Sequence, residues 1–316
     1  MILHVFTLLA GLVILVGGGV ALVRGAVRLA RGLGVSSLLI GLTVVAFGTS
    51  APEFAVTLNA AANGSDSLAL GNVIGSNVAN VLLVLGLTSM VKPLVIPRKI
   101  VRIDAPGMML ATLAFAAFAY TGGALQSWQG ATLLVGLATY LVVTYRQSRR
   151  GEPATIEGDS PLAPRHLELG AAGILVVGLA ALAFGSDLIV RGAVGIAETA
   201  GLSERVVGTT IVAIGTSLPE ITTCVVAAWR GQPAIALGNI VGSNVFNILF
   251  VGGTVAVIAA PVEFAPSALA LDLPVMVGSA SLAIVLLATS RGLNRIEGAV
   301  LLSLYAAYLA LTIATH

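Results

Sequence analysis

Charge is scarce in this chain. Charged residues fill 9% of its 316 positions, against about 25% in a soluble domain. So few ionic groups exclude a water-solvated surface, and with 57% hydrophobic residues the chain reads as an integral membrane protein. Cysteine is almost missing. Cys224 stands alone, which excludes a disulfide framework. The three histidines, His4, His166 and His316, lie near the ends or in a polar stretch, which removes most zinc and copper readings. The 16 basic residues are scattered through short loops, so nucleic acid is not a partner. Glycine, by contrast, is abundant at 37 residues, as expected where helices must approach closely in lipid.

What the chain does contain is one phrase said twice. Residues 48–53 read GTSAPE and residues 215–220 read GTSLPE. Residues 71–80 read GNVIGSNVAN and residues 238–247 read GNIVGSNVFN. Both pairs are offset by 167 residues, so they belong to one long duplication. Residues 18–26 (GGVALVRGA) match 185–193 (GSDLIVRGA) at the same offset. The first apolar segment also lacks the basic start of a signal peptide, and it is expected to be retained as part of the repeat.

A helical crossing needs about 20 apolar residues. The pattern predicts ten: 3–23, 36–60, 68–90, 103–121 and 125–145, then 168–190, 204–228, 234–258, 268–289 and 296–314. Residues 1–145 form a first five-helix repeat and 168–316 a second. The polar stretch 146–167, rich in charge, Pro and Gly, reads as the linker. Every Lys and Arg except Arg191 and Arg205 falls in one alternate set of loops. Basic residues favour the cytoplasmic side, so both termini are expected outside and the linker in the cytoplasm. Five is odd, so the second repeat starts from the opposite face. The expected fold is therefore an all-α membrane protein built as two inverted repeats.

Each copy sets one glutamate, Glu53 or Glu220, in an otherwise apolar segment. A carboxylate at that depth marks a pathway for ions or protons. On a helix, Ala46, Thr49 and Glu53 share one face, as do Ala213, Thr216 and Glu220. Pro52 and Pro219 lack an amide hydrogen, so the Gly48 and Gly215 carbonyls lose their helical donors. Helices 2 and 7, the spans 36–60 and 204–228, are thus expected to be broken, with freed carbonyls lining a cavity. In the second motif Asn72, Ser76 and Asn80 lie on one face, with Asn239, Ser243 and Asn247 as counterparts. Gly71 and Gly75 are expected to let helix 3 approach the broken helix.

The collected donors are carboxylates, hydroxyls, amides and carbonyls, without sulfur or imidazole. Such hard oxygen ligands suit Ca²⁺ and equally Na⁺. Two ionised glutamates are neutralised by one Ca²⁺ or two Na⁺. A buried carboxylate left bare would take up a proton, so the site favours exchange of occupants over emptiness.

GTSxPE and GNxxGSNxxN, each present twice in inverted halves, resemble the alpha repeats of the sodium/calcium exchanger family across nearly the whole chain. The resemblance implies ten helices, with helices 2, 3, 7 and 8 (3 and 8 being spans 68–90 and 234–258) as the ion-binding core. It implies exchange of several Na⁺ for one Ca²⁺, with these ions as cargo, the lipid bilayer as surroundings, and neither a cofactor nor a protein partner. Glu53 and Glu220 match the shared ligands of both ions. Thr49 and Thr216 match hydroxyl and carbonyl donors, and Ala46 and Ala213 carbonyl donors. Ser50 and Ser217 match site-lining hydroxyls, Ser76 and Ser243 flanking Na⁺ ligands, and Asn80 and Asn247 the centre. Some relatives carry Asp where this chain has Asn80 and Asn247, which argues against potassium cotransport. The stretch 146–167 is too short for the regulatory domain of animal exchangers.

Other residues have plainer readings. Asp187 and Arg191 are spaced for an ion pair. Asp104 and Asp272 are expected at helix starts, complementing the dipole, and Cys224 is expected to be an apolar filler. Two competing functions remain. A proton-coupled antiporter would use the same fold. A membrane-embedded lipid phosphatase would need cationic groups at the phosphate, and no Arg, Lys or His lies near either GTSxPE in sequence.

Overall fold

The computed structural model describes residues 2–150, 169–199, 213–289 and 292–315. Helix 1 is Ile2–Leu33 and helix 6 is Leu169–Thr199. Helix 2 is broken into Ser37–Thr49 and Ala51–Ala62, bent by 43°. Helices 3, 4 and 5 are Asp66–Val91, Ile100–Gly122 and Ser127–Arg150. Helix 7 is seen as Ala213–Thr216 and Leu218–Trp229. The residues before Ala213, including Arg205, lie outside the described residues, as do 151–168 of the expected linker. Helices 8, 9 and 10 are Pro233–Ala259, Ala268–Thr289 and Arg295–Thr315.

The two breaks have the cause that their prolines give. Ser50 sits at φ −81°, ψ 5° and Ser217 at φ −87°, ψ 1°, off the helical ψ, with the proline two residues on. A fresh helix then starts, and Glu53 and Glu220 fall in its first turn. Negative charge is favoured there by the aligned amide dipoles.

Helices 3 and 8 are the centre of the molecule. Helix 8 buries 83% of its apolar window and helix 3 buries 72%, against 17–28% for helices 1, 5, 6, 9 and 10. The outer helices turn side chains such as Val13, Leu110, Val135 and Ile296 outward, as lipid-facing surfaces do. Helix 8 lies tight against the first segment of helix 2. A methyl group on Gly242 would meet the Leu42 carbonyl at 2.6 Å and the Ala46 Cβ at 2.7 Å. A Cβ on Gly71 or Gly75 would meet nothing within 4 Å among the described residues, so the close approach expected of them is not seen there.

Helices 1 and 6 run longer than their apolar spans, at 32 and 31 residues. At 1.5 Å per residue helix 1 is roughly 48 Å long, well beyond a hydrocarbon core of about 30 Å. The two pack antiparallel along a ladder of glycines spaced seven residues apart on each helix. Gly11, Gly18 and Gly25 face helix 6, and Gly178, Gly185 and Gly192 face helix 1. A Cβ on Gly18 would meet Leu182 N at 2.8 Å, and one on Gly185 would meet Leu15 N at 2.7 Å. Only glycine allows backbones this close.

The all-α expectation needs one addition. Leu94–Val95 pairs antiparallel with Gly292–Leu293, and Ala124–Leu125 with Val262–Glu263. Each two-residue pair ties a connection of one half to a connection of the other. The two pairs are themselves related by the repeat, at an offset of 168.

Candidate cation site

The inverted halves bring the two glutamates together. Glu53 is 2% exposed and Glu220 1%, and the carboxylates lie close enough to repel one another. Oε2 of each has no hydrogen-bond partner among the described residues. Hydroxyls line the Glu220 carboxylate. Ser50, from the first half, donates to Glu220 Oε1 at 3.4 Å. The hydroxyls of Thr49 and Ser243 also lie against the Glu220 carboxylate, with 3.4 Å between them. Thr49 donates to Asn239 Oδ1 at 3.0 Å, and the Ala46 carbonyl is 3.3 Å from the same hydroxyl. Glu220 is therefore served largely by residues of the opposite repeat.

The other expected residues are placed as follows. Ser76, Asn80, Ser217 and Asn247 are buried, at 5%, 1%, 1% and 1% exposure. Asn80 opens a π-helical turn over Asn80–Val84, and Asn247 lies in one over Phe246–Gly252. Asn80 Oδ1 and both polar atoms of Asn247 have no partner among the described residues. Thr216 is half-buried beside the second break. Ala213 opens the short segment before that break, and its side chain lies outside the described residues. Asn72 is less available than its face suggested. Its Nδ2 donates to Thr57 Oγ1 at 2.8 Å and to the Glu53 carbonyl at 3.2 Å.

Three expectations are refined. The Gly215 carbonyl freed by Pro219 is not left bare. Ser186 of helix 6 donates to it at 2.6 Å, and the repeat counterpart of Ser186 is Gly19, which has no hydroxyl to offer Gly48. Cys224 is no mere filler. It accepts a hydrogen bond from Asn239 Nδ2 at 3.3 Å and donates to the Ala236 carbonyl at 3.5 Å. Asp104 and Asp272 lie near the helix starts as expected, each as the last residue of the π-helical turn that opens helix 4 at Ile100 and helix 9 at Ala268. Asp104 is fully buried, and Asp272 accepts from Tyr308 Oη at 2.9 Å. The Asp187–Arg191 pair forms as expected, at 2.8 Å on the surface.

Sequence reasoning passed over an aromatic wall beside the first break. Phe47 and Phe54, on the two segments of helix 2, meet Phe250 of helix 8 at 5.5 and 4.9 Å between ring centroids. Phe246 joins them at 5.7 Å from Phe47. The counterparts of the four are Ile214, Ile221, Leu83 and Ala79, so the wall joins the two halves at the first break and has no aromatic counterpart at the second.

Chemically, the assembly is a nest of hard oxygen donors around two carboxylates. Among the described residues no cluster of three or more His, Cys, Asp or Glu forms. Two acids with neutral oxygens fit a cation whose charge they balance.

Comparison with known proteins agrees with this chemistry. A family profile described as sodium/calcium exchanger protein matches residues 3–146 and 170–314. The putative antiporter CaxA of Alkalimonas amylolytica is 38% identical over 315 residues, covering 98% of each chain. The sodium/calcium exchanger MaX1 of Methanosarcina acetivorans is 32% identical, covering 96% of each. Among solved structures, the sodium-calcium exchanger NCX_Mj superposes with a TM-score of 0.83 at 28% identity, over 99% of this chain and 98% of that one.

Proposed function

The chain belongs to the sodium/calcium exchanger family, and from that premise we propose that it exchanges Na⁺ for Ca²⁺ across the cell membrane. Family membership sets the phosphatase reading aside. In this reading Glu53 and Glu220 are the ligands both ions share. Thr49 and Thr216 add hydroxyl and carbonyl oxygens, Ala46 and Ala213 carbonyls, and Ser50 and Ser217 hydroxyls. Ser76 and Ser243 flank the site as Na⁺ ligands, with Asn80 and Asn247 at its centre. One observation carries the proposal: two buried carboxylates from opposite repeats, close enough to repel one another, each with an oxygen that has no hydrogen-bond partner among the described residues, and with the Thr49, Ser50 and Ser243 hydroxyls against Glu220.

The physical logic is charge matching. A bare pair of carboxylates in the membrane interior is costly. One Ca²⁺ or two Na⁺ neutralise it, so the site opens to either side loaded and trades one cargo for the other. Helices 1 and 6 are the candidates to move against helices 2, 3, 7 and 8, as a repeat-related pair held to each other along their glycine ladder. Proton coupling is the second reading, favoured by the carboxylates alone. The surrounding hydroxyls favour Na⁺, since a proton needs no cage of oxygens.

Flux into proteoliposomes tests this. ⁴⁵Ca²⁺ uptake is expected to require Na⁺ inside and to collapse in Glu53→Gln and Glu220→Gln. Equal uptake without Na⁺, or uptake driven by a pH gradient in Na⁺-free medium, would replace Na⁺ coupling with proton coupling. Orientation is tested separately with reporters fused after His316. Both termini outside requires an active alkaline phosphatase and a dark green fluorescent protein there, and the reverse pattern inverts the topology.

A further inference from the structure

Hydrogen-bond donors and acceptors behind the site run in one direction. Cys224 donates its thiol proton to the Ala236 carbonyl, so its sulfur accepts from Asn239 Nδ2. With its NH₂ group engaged there, Asn239 presents Oδ1 across the repeat boundary, where Thr49 Oγ1 donates to it. Thr49 has one hydroxyl proton to place. Its alternatives, the Ala46 carbonyl at 3.3 Å and Ser243 Oγ at 3.4 Å, are longer than the 3.0 Å bond to Asn239.

The direction matters for a cation. A hydroxyl ligand turns its lone pairs to the ion and sends its proton elsewhere. The Glu220 carboxylate beside Thr49 competes for that proton, since hydrogen bonds to ionised acceptors are the strong ones. A proton sent to Glu220 would occupy both a carboxylate lone pair and the Thr49 hydrogen at the place where the ion binds. Asn239, Cys224 and Thr49 are all at or below 1% exposure, so bulk water does not take over the acceptor role. The first repeat has the same donor order. Asn72 Nδ2 donates to Thr57 Oγ1, which donates onward to the Glu53 carbonyl at 2.7 Å. Cys224 occupies the position that Thr57 holds in the first repeat.

We propose that Asn239 is a positioning residue for cation binding: it accepts the Thr49 proton so that Thr49 meets the ion through its lone pairs, and Cys224 holds the Asn239 amide in the required orientation. The proposal rests on the transport reading above. Its test is ⁴⁵Ca²⁺ binding, and its displacement by Na⁺, on the purified full chain. Wild type is compared with Asn239→Leu, Thr49→Ala, the double variant, Cys224→Ala and Cys224→Thr, and ion-free melting is recorded for each.

Asn239→Leu is expected to lower Ca²⁺ affinity roughly 3–10-fold, the worth of one buried hydrogen bond. The double variant is expected to bind no worse than Thr49→Ala, because residues acting through one another do not add. Cys224→Ala is expected to lose affinity and Cys224→Thr to recover it. Wild-type affinity in a folded Asn239→Leu protein, or losses that multiply in the double variant, overturns the proposal. Where Asn239→Leu does not fold, equal affinity in the two Cys224 variants overturns it. A wild type that binds neither ion brings down the transport reading and this proposal together, whereas binding with multiplying losses brings down this proposal alone.

Discussion

Oε2 of Glu53 and of Glu220 has no hydrogen-bond partner among the described residues, and a buried acceptor without a partner is costly in a medium that offers no water. In the proposed reading a bound cation relieves that cost. Binding to the folded chain alone stabilises it by mass action, about 2.7 kcal/mol at a hundredfold excess over Kd. Ca²⁺ is therefore expected to raise the melting temperature of the wild-type protein. Glu53→Gln and Glu220→Gln each remove half the negative charge, and Ca²⁺ is expected to leave their melting temperature unchanged. Ca²⁺ protection in either variant would mean that the stabilising ion sits elsewhere. Ser50 reaches Glu220 across the repeat boundary, and Ser50→Ala is expected to weaken Ca²⁺ binding by a smaller factor, roughly 2–10-fold, as measured by ⁴⁵Ca²⁺ titration.

At the scale of the helix, breaks and close contacts decide what is rigid. Pro52 and Pro219 were readable as breaks because a missing amide hydrogen is a local fact. The fate of the Gly215 carbonyl was not, because Ser186 comes from another helix. Ser186→Ala leaves that carbonyl without its donor at about 1–3 kcal/mol and loosens helix 6 from the break in helix 7. Transport is expected to change in rate while equilibrium Ca²⁺ affinity stays within about twofold. A large affinity change would place Ser186 in the binding site instead. Gly185→Ala presses a methyl group into the Leu15 backbone at 2.7 Å, and overpacking costs about 1–3 kcal/mol. Slower exchange with intact Ca²⁺ binding is expected. Unchanged exchange would mean that helices 1 and 6 need not stay in register. The π-helical turns at Asn80 and Asn247 left no trace in the helical periodicity, since an inserted residue shifts the face only after it.

At the scale of the molecule, duplication and composition made the fold legible. Ten apolar spans and two copies of each motif leave little choice of class, and the odd count per repeat makes the halves inverted. What inversion then places in contact was not legible. Thr49 against Asn239 and Ser243, the phenylalanine wall, and the paired connections at 94–95 with 292–293 all join residues far apart in the chain. The site belongs to neither half. It exists because the halves face each other, and in the proposed reading its charge balance ties the two ions to one set of ligands.

Competition at equilibrium tests that shared occupancy most directly. Purified protein is titrated with ⁴⁵Ca²⁺ at several Na⁺ concentrations. The account predicts one Ca²⁺ per chain, complete displacement by Na⁺, and a steep Na⁺ dependence that requires more than one Na⁺ per Ca²⁺ released. Ca²⁺ that stays bound at saturating Na⁺, with both ions held on the same chain, would contradict it.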